Sequence, residues 1–146
     1  MLRPLPLVLS VAILCLLALP GPASAGDILA AECPCGFKTR LGVYGGRANF
    51  KRQCGFPALC AKAHAIVTFN VFDPSGPNPA AEKLGCSASD LVPYDDPSLA
   101  PNPPGEVVSY WRLPGRNQTV SITSGGYVCP RCGKKTLHFR HAGNWD

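Results

Sequence analysis

No catalytic set stands out anywhere in the sequence. There is no Ser/His/Asp or Cys/His combination, no Gly-rich phosphate loop and no carboxylate pair above chance. Long helical periodicity is missing as well. With 16 prolines and 15 glycines, the chain favours turns and short strands. The longest apolar stretch, Leu5–Leu19, falls short of the roughly 20 residues a transmembrane helix needs, and no lipobox cysteine follows it. These absences point away from a nucleotide-dependent enzyme, a helical bundle, a membrane anchor and a lipoprotein.

What the first residues do contain is a leader. Met1-Leu-Arg3 carries one positive charge, the apolar run follows, Pro20-Gly-Pro22 breaks any helix, and Ala23-Ser-Ala25 is a small-x-small cleavage box. The expectation is a signal peptide over residues 1–25 and one domain over residues 26–146, exported to a periplasm or secreted. The alternative is an uncleaved anchor. Loss of Arg3 lowers the formal charge of +5 by one. The remaining mild, dispersed basicity serves solubility and predicts neither nucleic-acid binding nor membrane insertion after cleavage.

Beyond the leader stand seven cysteines: Cys33, Cys35, Cys54, Cys60, Cys86, Cys129 and Cys132. Exported chains usually oxidise their cysteines, but an odd number leaves at least one unpaired. Cys33-x-Cys35 and Cys129-x-x-Cys132 would also close very small loops if each were a disulfide, with little entropic gain. Strand-forming runs recur at Ile28–Glu32, Ala65–Phe72, Val107–Leu113, Thr119–Thr123 and Thr136–Arg140. A helical turn is expected at Ala58–Ala65, and loops at Asp73–Pro79 and Asp95–Gly105.

The most informative pattern is an internal echo. Glu32-Cys-Pro-Cys-Gly-Phe-Lys-Thr39 parallels Val128-Cys-Pro-Arg-Cys-Gly-Lys-Lys-Thr136. In such zinc knuckles, Pro fixes φ at the start of the turn and Gly takes the positive φ that closes it. Folded-back amides then support two thiolates. A tetrahedral structural site takes four ligands, so each knuckle needs a partner. Cys60 and His64, four apart, would share one face of a helical turn. Cys86 stands alone before Ser89, and Cys54 has no motif and reads as a buried or paired thiol. A thioredoxin-like role for Cys129-Pro-Arg-Cys132 needs a helix after the first Cys. The sequence Lys134-Lys-Thr-Leu-His-Phe-Arg140 instead alternates like a strand. Asp95-Asp96 reads as a turn pair, Lys134, Lys135 and Arg140 as solvated charges, and Asn117-Gln-Thr119 as a glycosylation acceptor relevant only to a eukaryotic source.

The order of motifs resembles a family of small bacterial proteins with four zinc knuckles and no known activity. The shared residues are Cys33-Pro-Cys35-Gly36, Gly45-Gly46, Phe50, Phe56-Pro-Ala-Leu-Cys60, Pro93-Tyr-Asp-Asp-Pro97, Cys129-Pro-Arg-Cys132-Gly133, Leu137-His-Phe139 and Trp145-Asp146. The resemblance implies an all-β fold of zinc-ribbon hairpins, one domain of two interleaved ribbons. Two knuckle cysteines of the family pattern are replaced, by Ala63 and by Ser89. The implied ligands are therefore Cys33, Cys35, Cys60 and His64 at one site. At the other they are Cys86, Cys129 and Cys132, with His138, His141 or water as the fourth. A single site of Cys33, Cys35, Cys129 and Cys132 is the alternative pairing.

Three functions follow as expectations. The leading one is an exported, non-enzymatic Zn2+ protein whose metal holds a scaffold for another protein. The second is a disulfide-stapled secreted domain without metal. The third is a zinc-dependent hydrolytic enzyme with an open three-cysteine site.

Overall fold

The computed structural model describes residues 25–146, so all but the last residue of the leader expected over residues 1–25 lies outside the described residues. The fold is all-β, in three small antiparallel sheets. The largest has the order β2-β1-β9-β8, formed by β1 (Gly26–Glu32), β2 (Lys38–Val43), β8 (Tyr127–Val128) and β9 (Lys135–Trp145). A second sheet has the order β4-β3-β5, from β3 (Gly55–Cys60), β4 (Ala65–Asn70) and β5 (Leu91–Pro93). The third is the hairpin of β6 (Val107–Arg112) and β7 (Thr119–Thr123). The helical elements among the described residues are two single-turn helices, α1 (Gly46–Asn49) and α2 (Pro79–Glu82), and a 3₁₀ turn at Ala88–Asp90.

β1 is one of the two inner strands of the first sheet, beside β9. It pairs with β2 from Asp27↔Val43 to Glu32↔Lys38 and with β9 from Gly26↔Trp145 to Glu32↔His138. Alternation assigns the two faces. Leu29, Ala31, Leu41, Val43, Leu137 and Phe139 are buried, while Lys38, Arg40, His138 and Arg140 are exposed. The inner face meets Phe56, Tyr94, Trp111, Ile122 and Tyr127 in one continuous cluster. At its centre Tyr94, Tyr127 and Phe139 make three edge-to-face contacts with centroids 5.1 to 5.8 Å apart, the arrangement favoured by the ring quadrupole. The Tyr94 hydroxyl donates to the Val128 carbonyl at 3.1 Å and so fixes the entry to β9's turn.

Four strand expectations coincide closely with β1, β4, β6 and β7, and the fifth with the first half of β9. The helical turn expected at Ala58–Ala65 is a correction. Ala58–Cys60 is strand, paired with Val67–Ala65 on one side and Pro93–Leu91 on the other. Helix propensity in an Ala-rich segment yields here to burial, because every residue of β3 is buried.

Candidate metal centre

The two Cys-Pro turns occupy equivalent places. The Cys33 turn joins β1 to β2, and the Cys129 turn joins β8 to β9. Antiparallel pairing of β1 with β9 lays the end of one strand beside the beginning of the other, since Glu32 faces His138. The turns must therefore meet, although Cys35 and Cys129 are 94 residues apart.

Each turn closes in the same way. The Cys33 amide donates to the Phe37 carbonyl at 3.0 Å, and the Gly36 amide to the Cys33 carbonyl at 2.9 Å. In the second turn the Cys129 amide donates to the Lys134 carbonyl at 2.8 Å, and the Gly133 amide to the Cys129 carbonyl at 2.9 Å. Gly36 has φ of +89° and Gly133 of +68°, the left-handed values that favour glycine. At Gly133 a β-carbon would meet nothing within 4 Å, so only backbone strain opposes a side chain there. Gly133→Ala is accordingly expected to destabilise the protein by about 1–2 kcal/mol while leaving metal stoichiometry unchanged. Thermal unfolding with metal analysis on the same samples checks both.

The Sγ atoms of Cys33, Cys35, Cys129 and Cys132 all lie within 4.8 Å of one another. Cys33 to Cys132 is 3.8 Å and Cys35 to Cys129 is 3.6 Å. Four sulfurs placed about 2.3 Å from a central zinc in a tetrahedron stand roughly 3.8 Å apart, so the cluster fits the ion. Cys33 and Cys129 are buried, Cys132 is half-buried and Cys35 is exposed. The Thr136 hydroxyl lies 3.2 Å from the Cys33 sulfur and 3.9 Å from the Cys132 sulfur. Arg131 reaches over the first turn, where a β-carbon on Gly36 would sit 3.5 Å from its Nη1.

Charge on the sulfurs is steered by the surroundings. Burial opposes ionisation of Cys33, but hydrogen bonds from Thr136, from the Cys35 amide and from the neighbouring thiols outweigh it and bring it down to about 6. The Lys134 amide lowers Cys132 below the ordinary thiol value. Burial pushes Cys129 up to about 12, against the Cys132 and Arg131 amides. Of Cys33, Cys129 and Cys132, which influence one another's charge, Cys33 is the most readily ionised.

The structure regroups the expected ligands. Cys60 does not meet the Cys33–Cys35 turn, and Cys86 does not meet the Cys129–Cys132 turn. Cys60 and Cys86 are bonded to each other, with Cα atoms 6.4 Å apart. The cause is local. Cys60 ends a strand, so Cys60 and His64 share no helical face, and pairing of Cys60 with Leu91 draws in the Cys86 loop. The alternative pairing, one site of Cys33, Cys35, Cys129 and Cys132, is the arrangement present.

None of the three histidines joins the cluster. His64, at φ of +49°, places Nδ1 2.9 Å from the Pro130 carbonyl and so supports the second turn from outside. His138 Nδ1 lies 3.0 Å from the Ser124 carbonyl on the solvent face, the side opposite Leu137 and Phe139. His141 lies 3.7 Å from the Asp27 carboxylate. Ser89 belongs to a Ser87–Asp90 capping box, its hydroxyl 3.0 Å from that of Ser87. Cys54 is a free, fully buried thiol, which burial pushes up to about 12. The residue not singled out from sequence is Thr136. Its signal was the repeated Thr in the echo, at Thr39 and Thr136. Comparison of the chain with family models, with curated proteins and with solved structures gives no match.

Proposed function

We propose that the chain is an exported zinc protein whose single ion, held by Cys33, Cys35, Cys129 and Cys132, is structural, and which acts by binding another protein rather than by catalysis. The observation carrying this reading is the four-sulfur cluster at tetrahedral spacing, built from two matching turns. A site with four thiolates is closed and leaves no position for water, which is the structural rather than the catalytic pattern. The open three-cysteine enzyme is set aside, because Cys86 is in a disulfide and not with Cys129 and Cys132.

Export is supported by the leader pattern and by the Cys60–Cys86 bridge, since such bonds persist mainly in oxidising compartments. Among the described residues no helix is long and apolar enough to cross a membrane. A partner-binding role is supported by Val107 and Tyr110 on β6, which stay 60% and 68% exposed despite their apolar surface.

Metal analysis combined with thiol counting tests the reading. One zinc per chain is expected, with five free thiols after chelation and denaturation without reductant. A metal-free protein with one free thiol would replace it with a fully disulfide-stapled domain.

A further inference from the structure

The cluster's thiols fall into two cross-paired couples. Cys35 faces Cys129 at 3.6 Å, and Cys132 faces Cys33 at 3.8 Å. Each couple joins the first turn to the second. Each also combines one solvent-reachable sulfur, on exposed Cys35 or half-buried Cys132, with one buried sulfur, on Cys129 or Cys33. That is the division of labour thiol–disulfide exchange uses: an accessible thiolate attacks, and a sheltered neighbour resolves.

Resting on the zinc reading, we infer that the cluster is also an oxidative modification site for small-molecule disulfides, which convert it to the cross-turn disulfides Cys35–Cys129 and Cys33–Cys132 and expel the metal. The Cys35 thiolate attacks one sulfur of the external disulfide, forming a mixed disulfide and releasing one external thiolate. The Cys129 thiolate then attacks the Cys35 sulfur, closing the bridge and releasing the second. Cys132 and Cys33 repeat the sequence. A zinc tetrathiolate and two external disulfides thus become two protein disulfides, one free Zn2+ and four external thiolates. The protein cysteines are oxidised, the external disulfides are reduced, and charge balances.

Geometry selects these pairs over the alternatives. A Cys33–Cys35 bond would span a single residue and strain the ring. The cross-turn bonds close loops of 99 and 94 residues, which constrain the unfolded chain far more. They also tie the same two turns that the metal ties, so the sheet keeps its fastening. The Cys60–Cys86 bridge is already formed, and Cys54 is fully buried, so neither competes.

The test treats the zinc-loaded protein with excess oxidised glutathione, follows zinc with a chromogenic chelator, and maps disulfides by non-reducing peptide mass spectrometry. The expected result is one equivalent of zinc released, four thiols lost, and cross-links joining the Cys33–Cys35 peptide to the Cys129–Cys132 peptide. With Cys35→Ser, Cys33–Cys132 should be the only new bond. Zinc release with Cys33–Cys35 and Cys129–Cys132 bonds, or retention of zinc and thiols, would overturn the inference while leaving the zinc reading intact. Protein isolated without metal but already carrying the cross-turn bonds would overturn the zinc reading and keep the pairing.

Discussion

Chelating the metal from the protein under anaerobic conditions is expected to leave a largely unfolded first sheet at 25 °C. The turns that hold the sulfurs are also the ends of β1, β2, β8 and β9, so an ion held by them would fasten four strands at once. Structural zinc contributes roughly 10–16 kcal/mol of apparent binding free energy in small zinc domains. A domain of this size has only about 5–15 kcal/mol of net stability in total. Cys129→Ser should reproduce the effect without chelator, because it removes a buried ligand. Circular dichroism and a thermal scan decide the matter. A melting temperature lowered by only a few degrees would show that the hydrophobic cluster around Phe139 holds the sheet alone.

The second large effect belongs to the Cys60–Cys86 bridge. Its 26-residue separation corresponds to about 3.5 kcal/mol of loop-closure entropy in the unfolded chain. The double variant Cys60→Ala/Cys86→Ala is therefore expected to lose stability of that order, read from denaturant titration, with zinc content unchanged. Loss of zinc in this variant would mean that the bridge shapes the metal centre. Besides the β3–β5 pairing, an ion pair would still join the same segments: the Lys62 ammonium contacts the Asp90 carboxylate at 2.6 Å. Hydrogen bonds from Lys62 and then Ser87 hold Asp90 well below its ordinary value of 3.8. A carboxyl depressed on folding stabilises above its unfolded pKa and loses that contribution as pH falls. The bridge-less variant should accordingly become more acid-sensitive below about pH 4.

The knuckles were legible because their chemistry is local. Cys-Pro, the second Cys and the closing Gly specify a turn within a few residues, and Gly36 and Gly133 adopt the left-handed φ that the pattern demands. The faces of β9 were legible too, since alternation alone sends His138 away from Leu137 and Phe139. Ligand grouping was not, because it depends on which strands pair across roughly a hundred residues, and spacing says nothing about that. Cys60 illustrates the failure. Its four-residue distance from His64 suggested a shared helical face, but burial on both sides of β3 makes the segment a strand and sends the sulfur to Cys86. Strands β2, β5 and β8 escaped notice for a related reason. β5 and β8 are two or three residues long, and β2 carries Lys38 and Arg40 on its solvent face.

The partnership of β1 with β9 also imposes an order of events during synthesis. β1 and the turn with Cys33 and Cys35 leave the ribosome while β9 and the other two sulfurs are not yet made. At about 5–20 residues per second, the interval before Cys129 appears is roughly 5–20 s. For that time the first turn is half a site: two thiols, a strand edge and no ion held by four ligands. Closure must then cross a long loop, the slow kind of step in folding. The native sheet can thus close only after β9 has been made. A ribosome that stops short of β9 releases a chain with a solvent-exposed β1 edge and unshielded cysteines, the form most open to aggregation and wrong disulfides.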